Sequence, residues 1–188
     1  MKKVLLIHGF TGDGKGVWFP WMKRELEARG YEVFAPNLPN SCHPDLGEWV
    51  NALEPYFRQL DENDIIVAHS LGGKASLHTI LRVRKKIGQL ILVAPAIGKR
   101  ANEEWENMQR TFPDDDIGAL RRFWECHLPI EEISNFTKVA LIVSDNDEII
   151  PLSNFNDVPK DWKKEIWIGN GHFCINKIPC LLRKIMEN

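Results

Sequence analysis

The stretch IIVAHSLGGKASL (65–77) decides how the rest of the chain is read. Three apolar residues run into Ala-His-Ser-Leu-Gly, and a helical pattern follows. Strand, sharp turn and helix with a serine at the apex are the context of a nucleophile elbow, G-x-S-x-G. Such a turn brings the residues two before and two after the serine so close that only small side chains fit. Ala68 and Gly72 meet that need, and Gly73 adds room. Ser70 is then held at a helix N-terminus, where the dipole and free N–H groups favour developing negative charge. The plainer reading of the same residues is a helix N-cap serine.

A nucleophilic serine needs a base, and the base needs an orienting acid. In an elbow protein they follow in the order Ser, acid, His, on loops after later strands. The segment VALIVSDNDEIIP (139–151) offers Asp145 and Asp147 after a strand, and EIWIGNGHF (165–173) offers His172 after a strand and a glycine-rich turn. We assign the acid to Asp147, because Asp145 falls where the strand is still ending. Asp145 and Asn146 suit the turn itself. Pro151 is read as the start of the next helix. The remaining histidines are weaker candidates. His69 adjoins Ser70 and so points away, His8 orders the loop after the first strand, and His43, His78 and His127 fit surface or packing roles. No spacing suggests zinc, and no metal or cofactor is expected.

The N-terminal HGFTGDGKG (8–16) poses a separate question. Gly9 and Gly14-Lys15 match the spacing of a phosphate-binding P-loop, but Gly16 stands where a hydroxyl for Mg²⁺ is needed. The stretch fits an oxyanion loop better. Gly9 lets the backbone turn so that the N–H of Phe10 faces the site, and the N–H of Leu71 is the second donor. Gly12, Gly14 and Gly16 are expected to shape the mouth of the pocket.

Strands are predicted over 3–7, 31–35, 64–69, 89–94, 138–144 and 164–168, and helices over Val17–Arg29, Gly47–Gln59, Leu71–Lys85 and Ile175–Met186. Several strands are apolar on both alternations, the mark of parallel strands buried on both faces. The alternation predicts an α/β fold: a mostly parallel sheet of about six strands flanked by helices. Residues 98–137 break the rhythm as a short helical insertion between the fourth and fifth strands, either packed surface helices or a partial cap over the site.

The chain has 188 residues, 44% of them hydrophobic, and a formal net charge of −2. That suits a single domain (1–188) with a sizeable core and gives no electrostatic case for nucleic acid. The cysteines at 42, 126, 174 and 180 form no C-x-x-C pair, which reads as reduced thiols in a cytoplasmic protein. The apolar start is too short for a signal peptide, and no segment is long enough to span a membrane.

The strings VLLIHGFTGDG, AHSLGG, SDNDEIIP and GNGHF resemble those of small α/β-hydrolases of the group that includes retinoblastoma-binding protein 9 and its bacterial relatives. D-x-x-[VI]-P at 147–151 is similar to the acid loop of many α/β-hydrolases. The resemblance implies a compact α/β-hydrolase fold and a serine hydrolase cleaving a small ester or amide through an acyl-enzyme. It implies Ser70, Asp147 and His172 as catalytic residues and no cofactor. Ala68 departs mildly from the family's glycine. The animal member binds a pocket protein through L-x-C-x-E; this chain has only FWECHL (123–128), so that partner is not expected. The alternative is a non-catalytic binding protein that keeps the fold. Phe10, Trp18, Phe19, Trp21 and the insertion's aromatics suggest an apolar acyl or leaving group, with core packing accounting for at least half of them.

Overall fold

The computed structural model describes residues 1–187. Its strands are β1 (Lys3–Ile7), β2 (Glu32–Phe34), β3 (Ile65–His69), β4 (Gln89–Val93), β5 (Lys138–Ser144) and β6 (Lys163–Trp167). They form one sheet in the order β2-β1-β3-β4-β5-β6. Among the described residues every pairing is parallel, a stricter result than the mostly parallel sheet expected.

A parallel sheet covered on both faces has two cores, and successive residues of a strand feed them alternately. Leu5 and Ile7 of β1, Ile66 and Ala68 of β3, and Leu90 and Leu92 of β4 enter one core. Val4 and Leu6, Ile65 and Val67, and Ile91 and Val93 enter the other. The first core is closed by α2 (Leu46–Gln59) and α3 (Leu71–Val83), the second by α1 (Phe19–Glu27) and α6 (Pro179–Met186). Each fully buried leucine or isoleucine contributes about 1.5–3 kcal/mol relative to exposure. β6 is an edge strand, with Ile166 half exposed.

Helix ends follow local chemistry. Asp45 caps α2 by accepting from Glu48 N at 2.9 Å. α6 begins at Pro179, later than the predicted Ile175. A proline drives the residue before it out of helical geometry but suits the first turn itself, and Ile178 lies at φ −130°, ψ 80°. Pro151 likewise opens only a short 3₁₀ turn, Leu152–Phe155.

The insertion contains α4 (Asn102–Thr111), α5 (Ile117–Glu125) and a 3₁₀ turn at Ile130–Asn135. Trp105, Leu120, Phe123 and Trp124 bury their side chains in the first core. The insertion therefore lies across the carboxyl edge of β3 and β4, where ligands of open parallel sheets bind. Among the described residues no helix is long and apolar enough to cross a membrane.

Candidate active site

Ser70 sits between β3 and α3 at φ 52°, ψ −124°, a conformation L-residues rarely adopt. The strained turn is held by its neighbours. Ser70 N donates to Val93 O at 3.0 Å, and Ser70 O accepts from Gly73 N and Ala96 N, each at 2.9 Å. The space around it explains the small residues. A Cβ on Gly72 would lie 2.2 Å from His8 O, and one on Gly9 would lie 2.7 Å from Ser70 Cβ. Gly9 is thus required by close approach to the elbow, not by the turn of its own backbone. The plain N-cap reading fails, because the Ser70 hydroxyl accepts no cap bond from the helix. It lies instead 3.0 Å from His172 Nε2.

His172 Nδ1 is 2.8 Å from Asp147 Oδ2. The other carboxylate oxygen of Asp147 accepts from Ile149 N at 2.9 Å and Ile150 N at 2.8 Å, which fixes the side chain's orientation. Asp145 does not reach the histidine. Its Oδ1 accepts from Gly169 N at 2.8 Å, Asn146 Oδ1 accepts from Gly171 N at 2.8 Å, and Ser144 Oγ accepts from Asn170 N at 3.0 Å. The sequence reading gave Asp145 and Asn146 to their own turn. The structure uses both to stitch the acid loop to the loop that carries His172.

His69 was also misread. Its side chain turns toward the site: Nε2 donates to the carbonyl oxygen of His172 at 2.9 Å, and the ring meets Trp18 edge-on at 6.2 Å. His172 is therefore held at its imidazole by Asp147 and at its backbone by His69. The only sequence signal was a histidine beside the serine, with nothing to indicate a partner a hundred residues on. His8 does what was expected of it. Nε2 accepts from Leu38 N and Nδ1 donates to Gly9 O, both at 2.9 Å. With Gly12 N, which also donates to Gly9 O, this fixes the Gly9–Phe10 peptide. Among the described residues the N–H groups of Phe10 and Leu71 find no acceptor, and both residues line the same cavity as Ser70. Gly12 and Gly14 do not shape its mouth. A Cβ on Gly14 would strike Ala35 O at 2.4 Å and one on Gly12 would crowd Gly9 O at 3.1 Å, so they pack the loop against the end of β2 and against itself.

The cavity above Ser70 encloses about 200 Å³. Phe10 and Ile149 wall it, and Met108, Phe112, Leu120 and Trp124 from the insertion roof it. Trp18 and Phe19, by contrast, are wholly buried in the second core.

Burial shifts the histidines. It pulls His69 down to about 3, with the nearby His172 adding to the effect, and His78 to about 4; His8 is lowered for the same reason. These groups are neutral when folded, and on unfolding they regain an ordinary value near 6.5. Below that value the unfolded chain binds more protons. Their stabilisation is therefore complete above about pH 6.5 and is lost as pH falls, toward 3 for His69 and 4 for His78, by at most about 1.4 kcal/mol per pH unit for each histidine. Calorimetric melting from pH 8 to 4 is expected to show this decline, and His69→Gln to flatten it. Equal slopes in the two proteins would contradict the account.

The parallel sheet, the serine elbow and the acid and histidine loops in that order define an α/β-hydrolase. The chain belongs to the serine hydrolase family, whose sequence profile matches residues 4–177. It is an enzyme of the hydrolase class. It is similar to YdeN of Bacillus subtilis (strain 168), with 32% identity over 177 residues, covering 92% of this chain and 86% of that protein. The crystal structure of the ydeN gene product superposes with a TM-score of 0.82 and 27% identity, over 100% of this chain and 98% of that one. A carboxylesterase structure from Nitrososphaera gargenis shares the fold, with a TM-score of 0.74 at 14% identity, over 99% of this chain and 89% of that one.

Proposed function

We propose that the chain hydrolyses small carboxylic esters through an acyl-enzyme on Ser70, with His172 as general base and acid and Asp147 orienting it. The observation that carries this reading is the unbroken run of contacts from Asp147 Oδ2 through His172, 2.8 Å and then 3.0 Å, ending on a strained serine. His172 Nε2 takes the Ser70 proton as Oγ attacks the ester carbonyl carbon. The oxyanion accepts hydrogen bonds from Phe10 N–H and Leu71 N–H; losing one such donor typically raises the barrier by about 2.7–4 kcal/mol. His172 then protonates the departing alkoxide. Water attacks the acyl carbon and gives a proton to His172, which passes it to Ser70 Oγ as the Oγ–acyl bond breaks and the acid is released.

The enclosed, apolar roof favours a short acyl group over an extended peptide, and carboxylesterases share the fold. A fluorophosphonate probe is expected to label the native protein once, at Ser70. Absence of labelling in folded protein would sink the reading. Chromogenic esters of increasing acyl length are then expected to show a maximum set by the cavity.

A further inference from the structure

A second and larger cavity, of about 540 Å³, lies behind the roof of the first. Trp124 is a wall of both. Ile97 and Leu128 give it apolar sides; its charged lining is Lys74, Lys99, Arg100, Glu125 and Asp157, and of its cations Lys74 and Arg100 are the two that are not exposed. The enzyme chemistry proposed above uses none of these residues.

The two cations are unusual in what they lack. Lys74 lies on α3, one turn beyond Ser70, and is 6% exposed. Its ammonium donates to Cys126 O at 2.7 Å. That satisfies one of its three N–H donors. Arg100 stands over the rings of Trp124, at 4.9 Å, and Trp105, at 5.3 Å. Its Nε is buried without an acceptor, and its nearest hydrogen-bonding neighbour is Met108 Sδ, at 3.9 Å from Nη1. Among the described residues neither forms an ion pair. Of the acidic residues on the rim, Glu125 is engaged by Arg121 at 2.9 Å, and Asp157 is exposed and forms no ion pair among the described residues. Burial lowers the Lys74 ammonium to about 8, which still leaves it mostly charged at neutral pH. Arg100 feels the charges of Glu104 and Asp147 only from beyond ion-pair distance; cations drawn out of water with no carboxylate in contact are costly, and an anion entering the cavity would relieve that cost.

We propose that this cavity binds a carboxylate carried on a short apolar chain, with Lys74 and Arg100 holding the charge and Ile97, Leu128 and Trp124 the chain. The carboxylate is either the far end of the ester itself or a separate acid. Its place behind Trp124, and the Arg100 contact with Met108 that roofs the Ser70 cavity, put it in reach of both roles.

Binding is measured first without turnover, in Ser70→Ala protein titrated with hexanoate by calorimetry at pH 7. Hexanoate is expected to bind, 1-hexanol to bind at least about tenfold more weakly, and Lys74→Met added to Ser70→Ala to weaken hexanoate at least about tenfold. Lys74 does not line the Ser70 cavity, so hexanoate seated there would be indifferent to this change. Hexanoate affinity unchanged by Lys74→Met, or no binding at all, would overturn the proposal. If Lys74→Met fails to fold, Arg100→Gln, on the loop outside α3, carries the same test. A second arm, which rests on the hydrolytic reading, compares p-nitrophenyl hexanoate with the mono-p-nitrophenyl ester of adipate in proteins with native Ser70. A Lys74-dependent advantage for the adipate ester assigns the site to the substrate's own far end. Equal rates together with Lys74-dependent hexanoate binding assign it to a separate acid. A protein that turns over neither ester refutes the hydrolytic reading and leaves the calorimetric result standing.

Discussion

Ser70→Ala is expected to fold like the native chain and to lose ester turnover by up to about 10⁶-fold, the effect seen when a serine nucleophile is removed from a working triad. Folding should survive because the hydroxyl contributes one polar contact, to His172 Nε2 at 3.0 Å, and no cap bond. The unusual backbone angle is imposed by the bonds of Ser70 N and O to Val93, Gly73 and Ala96, which alanine keeps. Among the described residues, Cys174 is the one thiol that lines the cavity. Burial pushes its thiol up, and the Asp147 charge adds to this, so little thiolate is present at neutral pH. Its Sγ points at His172 O, 3.7 Å away, rather than at the imidazole. Rates measured alongside melting temperature and fluorophosphonate labelling decide the matter. Retention of an appreciable part of the rate in folded Ser70→Ala would require another nucleophile.

Asp147→Asn is expected to cut the rate by up to about 10⁴-fold while Asp145→Asn leaves it within a few-fold of native. The two carboxylates stand two residues apart and do different work. Asp147 Oδ2 faces His172 Nδ1 at 2.8 Å, and its other oxygen is pinned by Ile149 N and Ile150 N. An asparagine there would turn its NH₂ toward Nδ1, since its oxygen would stay with the two backbone donors. The imidazole would then carry its proton on Nε2, the nitrogen that must accept from Ser70. Asp145 accepts one hydrogen bond, from Gly169 N, and asparagine can keep it through its own oxygen. The expected cost of Asp145→Asn is a small loss of stability in the loop that carries His172. Parallel kinetics and melting curves of the two variants check both halves. A crippled Asp145→Asn beside a nearly normal Asp147→Asn would reverse the assignment.

The strands, the elbow and the chain order of serine, acid and histidine were legible because each is written in contiguous residues. A run as short as QLILV, in alternation with helical patterns, reads as a doubly buried strand, and A-H-S-L-G after such a strand leaves few conformations open. Asp147 was singled out over Asp145 by its distance from the strand end and by the resemblance of 147–151 to an acid loop, and it is Asp147 whose Oδ2 lies 2.8 Å from His172 Nδ1. Several features were not legible. The extent of α6 depended on how Pro179 restrains Ile178, which a hydrophobic pattern does not register. The bond from His69 to the His172 carbonyl joins residues 103 positions apart, and the second use of Asp145 and Asn146 spans 24 and 25. The insertion's tryptophans gave no sign of which would face a cavity, because that depends on how α4 and α5 pack over a sheet made elsewhere in the chain. Nothing in the sequence marks Lys74, one turn into its helix, as a side chain buried against Cys126 O at the end of α5. Local steric and periodic constraints act between near neighbours, so the sequence alone determined the sheet, the elbow and the order of the three loops. The depth of burial and the partner of each polar side chain arise only when distant segments pack together, and so the tertiary structure alone decided what holds His172 and which cations are left with no carboxylate in contact.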